Sequence, residues 1–224
     1  YTITPVVAGN AACTGNPIMV TITVNPLPTA NVSAATSPIC ATENAVFNLT
    51  GTPNAEVTYS INSGGNQTVM LNGSGTASVT VNNATTSQTL TLVSVRNTST
   101  NCSQNLNGNA TVVVNPLPTA NVSAATSPIC ATENAVFNLT GTPNAEVTYS
   151  INSGGNQTVM LNGSGTASVT VNNATTSQTL TLVSVRNTST NCSQNLNGNA
   201  TVVVNPLPTA NVSAATSPIC ATEN

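Results

Sequence analysis

Six cysteines hold most of the reactive chemistry in this chain of 224 residues. Four recur at one spacing, Cys40 with Cys102 and Cys130 with Cys192, and Cys13 and Cys220 lie near the two ends. A thiol serves as a nucleophile when a base activates it, as a metal ligand, or as half of a disulfide. The chain has no histidine, aspartate, lysine or tryptophan. Its only cations are Arg96 and Arg186, and its anions are Glu43, Glu56, Glu133, Glu146 and Glu223. A thiol or hydroxyl nucleophile therefore has only scattered glutamates as bases. Zinc sites favour close cysteine pairs or added histidine, and calcium sites favour clustered aspartate oxygens. Neither pattern is present. Nor is there a set of paired carboxylates, a glycine-rich phosphate loop ending in lysine, or a lysine for an isopeptide bond. The expectation is a protein that is not an enzyme and uses no cofactor and no metal.

Widely spaced cysteine pairs in a chain rich in threonine and asparagine point to an oxidising compartment. The expectation is one disulfide per repeat, Cys40 with Cys102 and Cys130 with Cys192. Free buried thiols and metal ligation are the alternatives. Each bridge would close a loop of about 60 residues and contribute roughly 4 kcal/mol on the chain-entropy account.

The spacing recurs because the sequence recurs. Residues 25–114 and 115–204 are the same 90-residue stretch without a substitution, and a further copy begins at Asn205 and runs to Asn224. Residues 1–24 match the repeat only at their last few positions. Self-similarity at a fixed period signals a tandem array, and 90 residues suit one small domain. The expected domains are therefore residues 1–24 as the C-terminal end of a preceding domain, repeats at 25–114 and 115–204, and the start of a third at 205–224. Both ends read as cuts through a longer polymer.

Within the repeat, apolar residues alternate with polar ones, which predicts strands rather than helices. Ala45, Phe47 and Leu49 share one face, as do Val57, Tyr59 and Ile61. Val69 and Leu71 follow, then Ala77, Val79 and Val81. Leu90 and Leu92 open a longer strand through Val95 to about Asn97, and Ala110, Val112 and Val114 close the repeat. A first strand is expected near residues 31–35. Gly, Pro and Asn clusters separate these runs, and Asn72-Gly73 is expected to form a tight hairpin with positive φ at both residues. About seven short strands with turns every 8–12 residues predict an all-β chain of tandem immunoglobulin-like sandwiches arranged end to end. Phe47 and Tyr59 are expected to anchor the core, and Arg96 to pair with Glu56 across neighbouring strands at the surface.

The joints read Asn25-Pro26-Leu27-Pro28 and Asn115-Pro116-Leu117-Pro118. Two prolines favour extended, polyproline-like backbone, so each joint is expected to be a semi-rigid spacer, with Leu27 and Leu117 set against a neighbouring repeat. Each repeat would add on the order of 40 Å.

The segment YTITPVVAGNAACTGNPIMVTITVNPLP resembles the end of a PKD-like repeat. The segment SPICATENAVFNLTGTPNAEVTYSINSGGNQTVMLNGSG, followed by LTLVSV, NCS and ATVVVNPLP, is similar to immunoglobulin-like repeats. Both kinds occur in giant cell-surface adhesins of Bacteroidetes associated with gliding motility and secreted by the type IX route. The resemblance covers essentially the whole chain. It implies an extracellular, cell-surface stalk or filament.

Composition bounds the partners. Only 3% of residues are charged, with a net charge of −3. Nucleic-acid binding needs several basic residues to release counterions, and no apolar run is long enough to cross a membrane. The expected partners are neighbouring repeats of the same polymer and other copies in a filament, with no nucleic acid and no membrane insertion. The functional expectation is a structural repeat segment of a long extracellular adhesin or surface filament that gives length and mechanical strength. The alternative is a multivalent array binding glycan or protein weakly at each repeat and acting through avidity.

Overall fold

The computed structural model describes residues 1–213 and Ala221, with backbone only for Val7 and residues 10–13. Half of the expected start of a third repeat therefore lies outside the described residues, and so does Cys220. Strands and turns account for all regular structure among the described residues, with no helix. The chain divides into two compact units, Tyr1–Val114 and Asn115–Asn224.

Residues 1–24 contribute four short strands: β1 (Thr2–Ile3), β2 (Val6–Val7), β3 (Asn10–Thr14) and β4 (Ile18–Met19). β1 pairs with β4 and β2 with β3, both antiparallel. The first repeat then supplies β5 (Ala30–Ala34), β6 (Ile39–Cys40), β7 (Ala45–Gly51), β8 (Ala55–Ile61) and β9 (Gln67–Met70). It continues through β10 (Thr76–Val81), β11 (Gln88–Asn97), β12 (Ser103–Asn105), β13 (Asn109–Val112) and β14 (Val114–Asn115).

The second repeat follows the same order. Its strands are β15 (Ala120–Ala124), β16 (Ile129–Cys130), β17 (Ala135–Gly141), β18 (Ala145–Ile151) and β19 (Gln157–Met160). β20 (Thr166–Val171), β21 (Gln178–Asn187), β22 (Ser193–Asn195), β23 (Asn199–Val202) and β24 (Val204–Asn205) complete it.

Each repeat is a sandwich of two antiparallel sheets. In the first, one sheet orders β10-β7-β5, and the other orders β9-β8-β11, with β12 and β13 both along the far side of β11. The second repeat has the same order. Alternation in the sequence explains the layering. Ala45, Phe47 and Leu49 of β7 and Ala55, Val57 and Tyr59 of β8 turn inward and are buried, joined by Leu71, Leu90, Leu92, Val95 and Val112. Phe47 sits opposite Ala34 on one side and Val79 on the other, at the centre of its sheet. The inward parity changes within β11, because Leu90 and Leu92 are buried and so is Val95. A β-bulge between Leu92 and Ser94 accounts for the change, since one extra residue flips the side chains that follow.

The Asn72-Gly73 segment differs from the tight hairpin expected of it. It links β9 in one sheet to β10 in the other, so it crosses the sandwich edge. Its one residue with positive φ is Gly75, at 74°. The Asn72 side chain accepts hydrogen bonds from the backbone of Ser74 and Thr76, both at 2.9 Å. An Asx turn therefore shapes the loop. Glycine is required at Gly75 for a second reason: a Cβ there would lie 2.2 Å from the Gly51 carbonyl oxygen, and the Gly51 amide holds the two backbones together by donating to the Gly75 carbonyl at 2.8 Å.

Polar groups in the core are matched. The buried Gln88 amide donates to the Thr86 carbonyl at 2.7 Å and accepts from Asn62 at 2.7 Å. Asn62 in turn accepts from the Thr89 amide at 2.8 Å. No buried side-chain nitrogen or oxygen among the described residues lacks a partner.

Candidate functional site: the two poles of the repeat

Strand direction sorts the loops of each repeat into two poles. The chain enters at Thr29, whose amide hydrogen-bonds Thr52 at 2.9 Å, and Ala30 lies opposite Gly51. Asn54 belongs to the same pole, where Thr98 donates to its carbonyl at 3.0 Å. The chain leaves at the other pole. There Ile39 donates to the Val113 carbonyl at 2.9 Å and Thr42 to that of Ala84 at 2.9 Å. Ser37 and Ser87 hydroxyls receive the amides of Val113 and Val114 at 3.0 and 3.1 Å. Entry and exit therefore lie at opposite ends of each sandwich.

The cysteines follow this division, and they correct the expected pairing. Cys40 lies on β6, which pairs with β14 at the exit pole. In the second repeat the corresponding ladder is parallel, with Cys130 opposite Asn205. Cys102 lies at the entry pole. Its carbonyl accepts from Asn97 at 2.9 Å, and Gln104, two residues on, donates to the Pro28 carbonyl. In the second repeat Gln194 donates to the Pro118 carbonyl at 2.6 Å. The poles are separated by at least the seven residues of β8, roughly 23 Å at strand rise. A disulfide requires about 6 Å between Cα atoms. Bridges between Cys40 and Cys102 and between Cys130 and Cys192 are thus excluded by geometry. The bonding states agree: Cys40 and Cys192 are each in a disulfide, and Cys102 and Cys130 are free thiols.

The exit cysteine is held by a carboxylate. Glu43 Oε2 accepts the Cys40 amide at 2.6 Å, and Glu43 donates its own amide to the Cys40 carbonyl at 3.1 Å. Glu133 does the same for Cys130, at 2.7 and 3.1 Å. This reciprocal turn was not legible from spacing alone, although Cys-Ala-Thr-Glu places a carboxylate at the offset a capping carboxylate uses. The turn fixes the backbone that carries the sulfur.

The joints are partly built into the repeats. Pro28 and Pro118 are buried, whereas Pro26 and Pro116 are exposed. Leu27 is 58% exposed, and Leu117 is half-buried. The remaining charged groups pair at the surface as expected: Arg96 meets Glu56 at 3.3 Å, and Arg186 meets Glu146 at 3.7 Å. Both partners are substantially exposed, so each pair contributes little to stability.

Other concave surfaces are shallow. A groove between β9 and β10 is bordered by Tyr59, Gln67, Val69, Val79 and Val81, and the second repeat has the same groove. Tyr59 offers it little ring surface, being 6% exposed with its hydroxyl on Gln67 at 3.2 Å. Among the described residues no group of three His, Cys, Asp or Glu side chains is placed to hold a metal.

The strand order, two facing sheets and antiparallel ladders define the class: all-β, with immunoglobulin-like sandwiches. No protein-family model matches the chain, and no curated protein does. Solved structures similar to it include a marsupial T cell receptor, at 11% identity over 83% of this chain and 76% of that one, TM-score 0.46. Titin domains I67–I69 match at 14% identity over 80% and 66%, TM-score 0.45. Escherichia coli alpha-2-macroglobulin matches at 8% over 80% of this chain and 16% of that one, TM-score 0.33.

Proposed function

We propose that the chain is a structural segment of a long extracellular or cell-surface filament, an adhesin stalk, in which identical sandwiches supply length and mechanical strength. The observation that carries this reading is the placement of entry and exit at opposite poles of each repeat. A unit built this way adds its own length each time it is copied. A unit with adjacent termini would add bulk instead. The exact repetition of a sequence with no histidine, aspartate or lysine supports the same reading, because such a unit gains by number rather than by chemistry. The disulfides of Cys40 and Cys192 fit an oxidising, extracellular setting. The likeness to surface adhesins of Bacteroidetes stays with the sequence motifs that carry it.

Single-molecule stretching in reducing buffer tests the mechanical reading. The two repeats unfold in separate events of equal size, each releasing on the order of 280 Å, about 90 residues less the folded length. A featureless extension without unfolding peaks would remove the load-bearing role.

A further inference from the structure

We propose that Asn107 and Asn197 are sites of spontaneous deamidation, at which each folded repeat converts one amide into a carboxylate, while an Asx turn shields the other Asn-Gly pair of the repeat.

Asparagine followed by glycine is the dipeptide most open to this reaction, because glycine puts no Cβ beside the attacking backbone nitrogen. Each repeat has two such pairs, Asn72-Gly73 with Asn107-Gly108 and Asn162-Gly163 with Asn197-Gly198. All four asparagines are exposed, so water reaches each of them. What separates them is how the side chain is held. Asn72 Oδ1 accepts from the amides of Ser74 and Thr76, both at 2.9 Å, and its Nδ2 donates to Thr76 Oγ1 at 2.8 Å. Asn162 repeats these bonds at 2.9, 3.0 and 2.9 Å. To react, Cγ must swing onto the nitrogen of the next residue, and the bonds of this Asx turn must break first.

Among the described residues, the side chains of Asn107 and Asn197 have no hydrogen-bond partner. Their loops link β12 to β13 and β22 to β23. The first lies beside the bulge of β11, where Leu106 donates to the Val93 carbonyl and Leu92 to the Gly108 carbonyl, each at 2.8 Å. Leu196 and Leu182 make the same bonds to Val183 and Gly198. These bonds fix the loop at its shoulders. The peptide group between Asn107 and Gly108 is bonded on neither side among the described residues. The Gly73 amide is unbonded too, so the side chain decides the difference.

In the reaction, the Gly108 nitrogen forms a bond to Cγ of Asn107 and gives up its proton. The bond from Cγ to Nδ2 breaks, and ammonia leaves with that proton. Water then opens the cyclic imide at one of its two carbonyls. The product is aspartate or isoaspartate, and nothing is oxidised or reduced. The charged residues of a repeat are Glu43, Glu56 and Arg96, so one new carboxylate doubles its net negative charge. Net charge keeps protein chains in solution and apart, and the conversion therefore sets an ageing chain against association with others.

Four sites within one chain allow an internal comparison. One sample of the chain is incubated folded in mildly alkaline buffer, and a second is incubated reduced in urea. Both are then reduced, alkylated and cut by trypsin, which acts only after Arg96 and Arg186. Of the four sites, fragment 1–96 holds Asn72, fragment 187–224 holds Asn197, and fragment 97–186 holds Asn107 and Asn162. Tandem mass spectrometry locates each converted amide. In urea the four sites convert at similar rates. In the folded chain Asn107 and Asn197 convert, whereas Asn72 and Asn162 are slower by roughly 100-fold, the effect of three hydrogen bonds that must break together. Equal protection of all four sites in the folded chain would overturn the proposal, and so would faster conversion at Asn72 and Asn162. Gly108→Ala fits the fold, since its Cβ would meet Leu92 Cδ1 at an ordinary 3.5 Å. It slows conversion at Asn107 and leaves Asn197 unchanged; undiminished conversion at Asn107 would show that the Gly108 nitrogen is not the attacking group and would overturn the mechanism. The filament reading rests on the poles and stands under each of these outcomes.

Discussion

Replacing Phe47 by alanine lowers the stability of the first repeat by about 3–5 kcal/mol. Phe47 is fully buried and is the largest fully buried side chain of its repeat, opposite Ala34 and Val79. Neither neighbour is large enough to close the cavity. Because the second repeat is identical, it serves as an internal reference. Heat unfolding of the full chain under reducing conditions should split into two transitions, one unchanged and one lower by roughly 20 °C. A single transition at the original temperature would contradict the assignment of Phe47 to a core shared only within its own repeat.

Much of the sandwich was legible in the sequence, and the residues show why. Alternation in Ala45–Leu49 and Val57–Tyr59 is a local signal, so it specified strands and their inward faces directly. The burial of Val95 required the bulge at Leu92–Ser94, which no periodicity announces. Asn72-Gly73 carried the dipeptide of a tight hairpin, yet the turn passes between sheets. Sheet membership is decided by partners far away in sequence, and the Asx turn of Asn72 with a left-handed Gly75 satisfies that crossing. The cysteines were misassigned for a related reason. Two per repeat suggests one bond per repeat, but spacing along a chain does not reveal poles. Only the register of β6 on β14 and the hold of Gln104 on Pro28 separate Cys40 from Cys102. Glu43 showed itself in the sequence only as one of a few anions, and its role at the Cys40 amide emerged with the loop geometry.

The claim at the centre of this account is that each copy of the repeat adds length along one direction. The most direct measurement is X-ray scattering in solution from oxidised chains containing two, four and eight copies. The account predicts a maximum dimension that rises linearly, by on the order of 40 Å per copy, with a constant cross-section. A dimension that rises as the cube root of copy number, as for repeats that fold back into a globule, would contradict it.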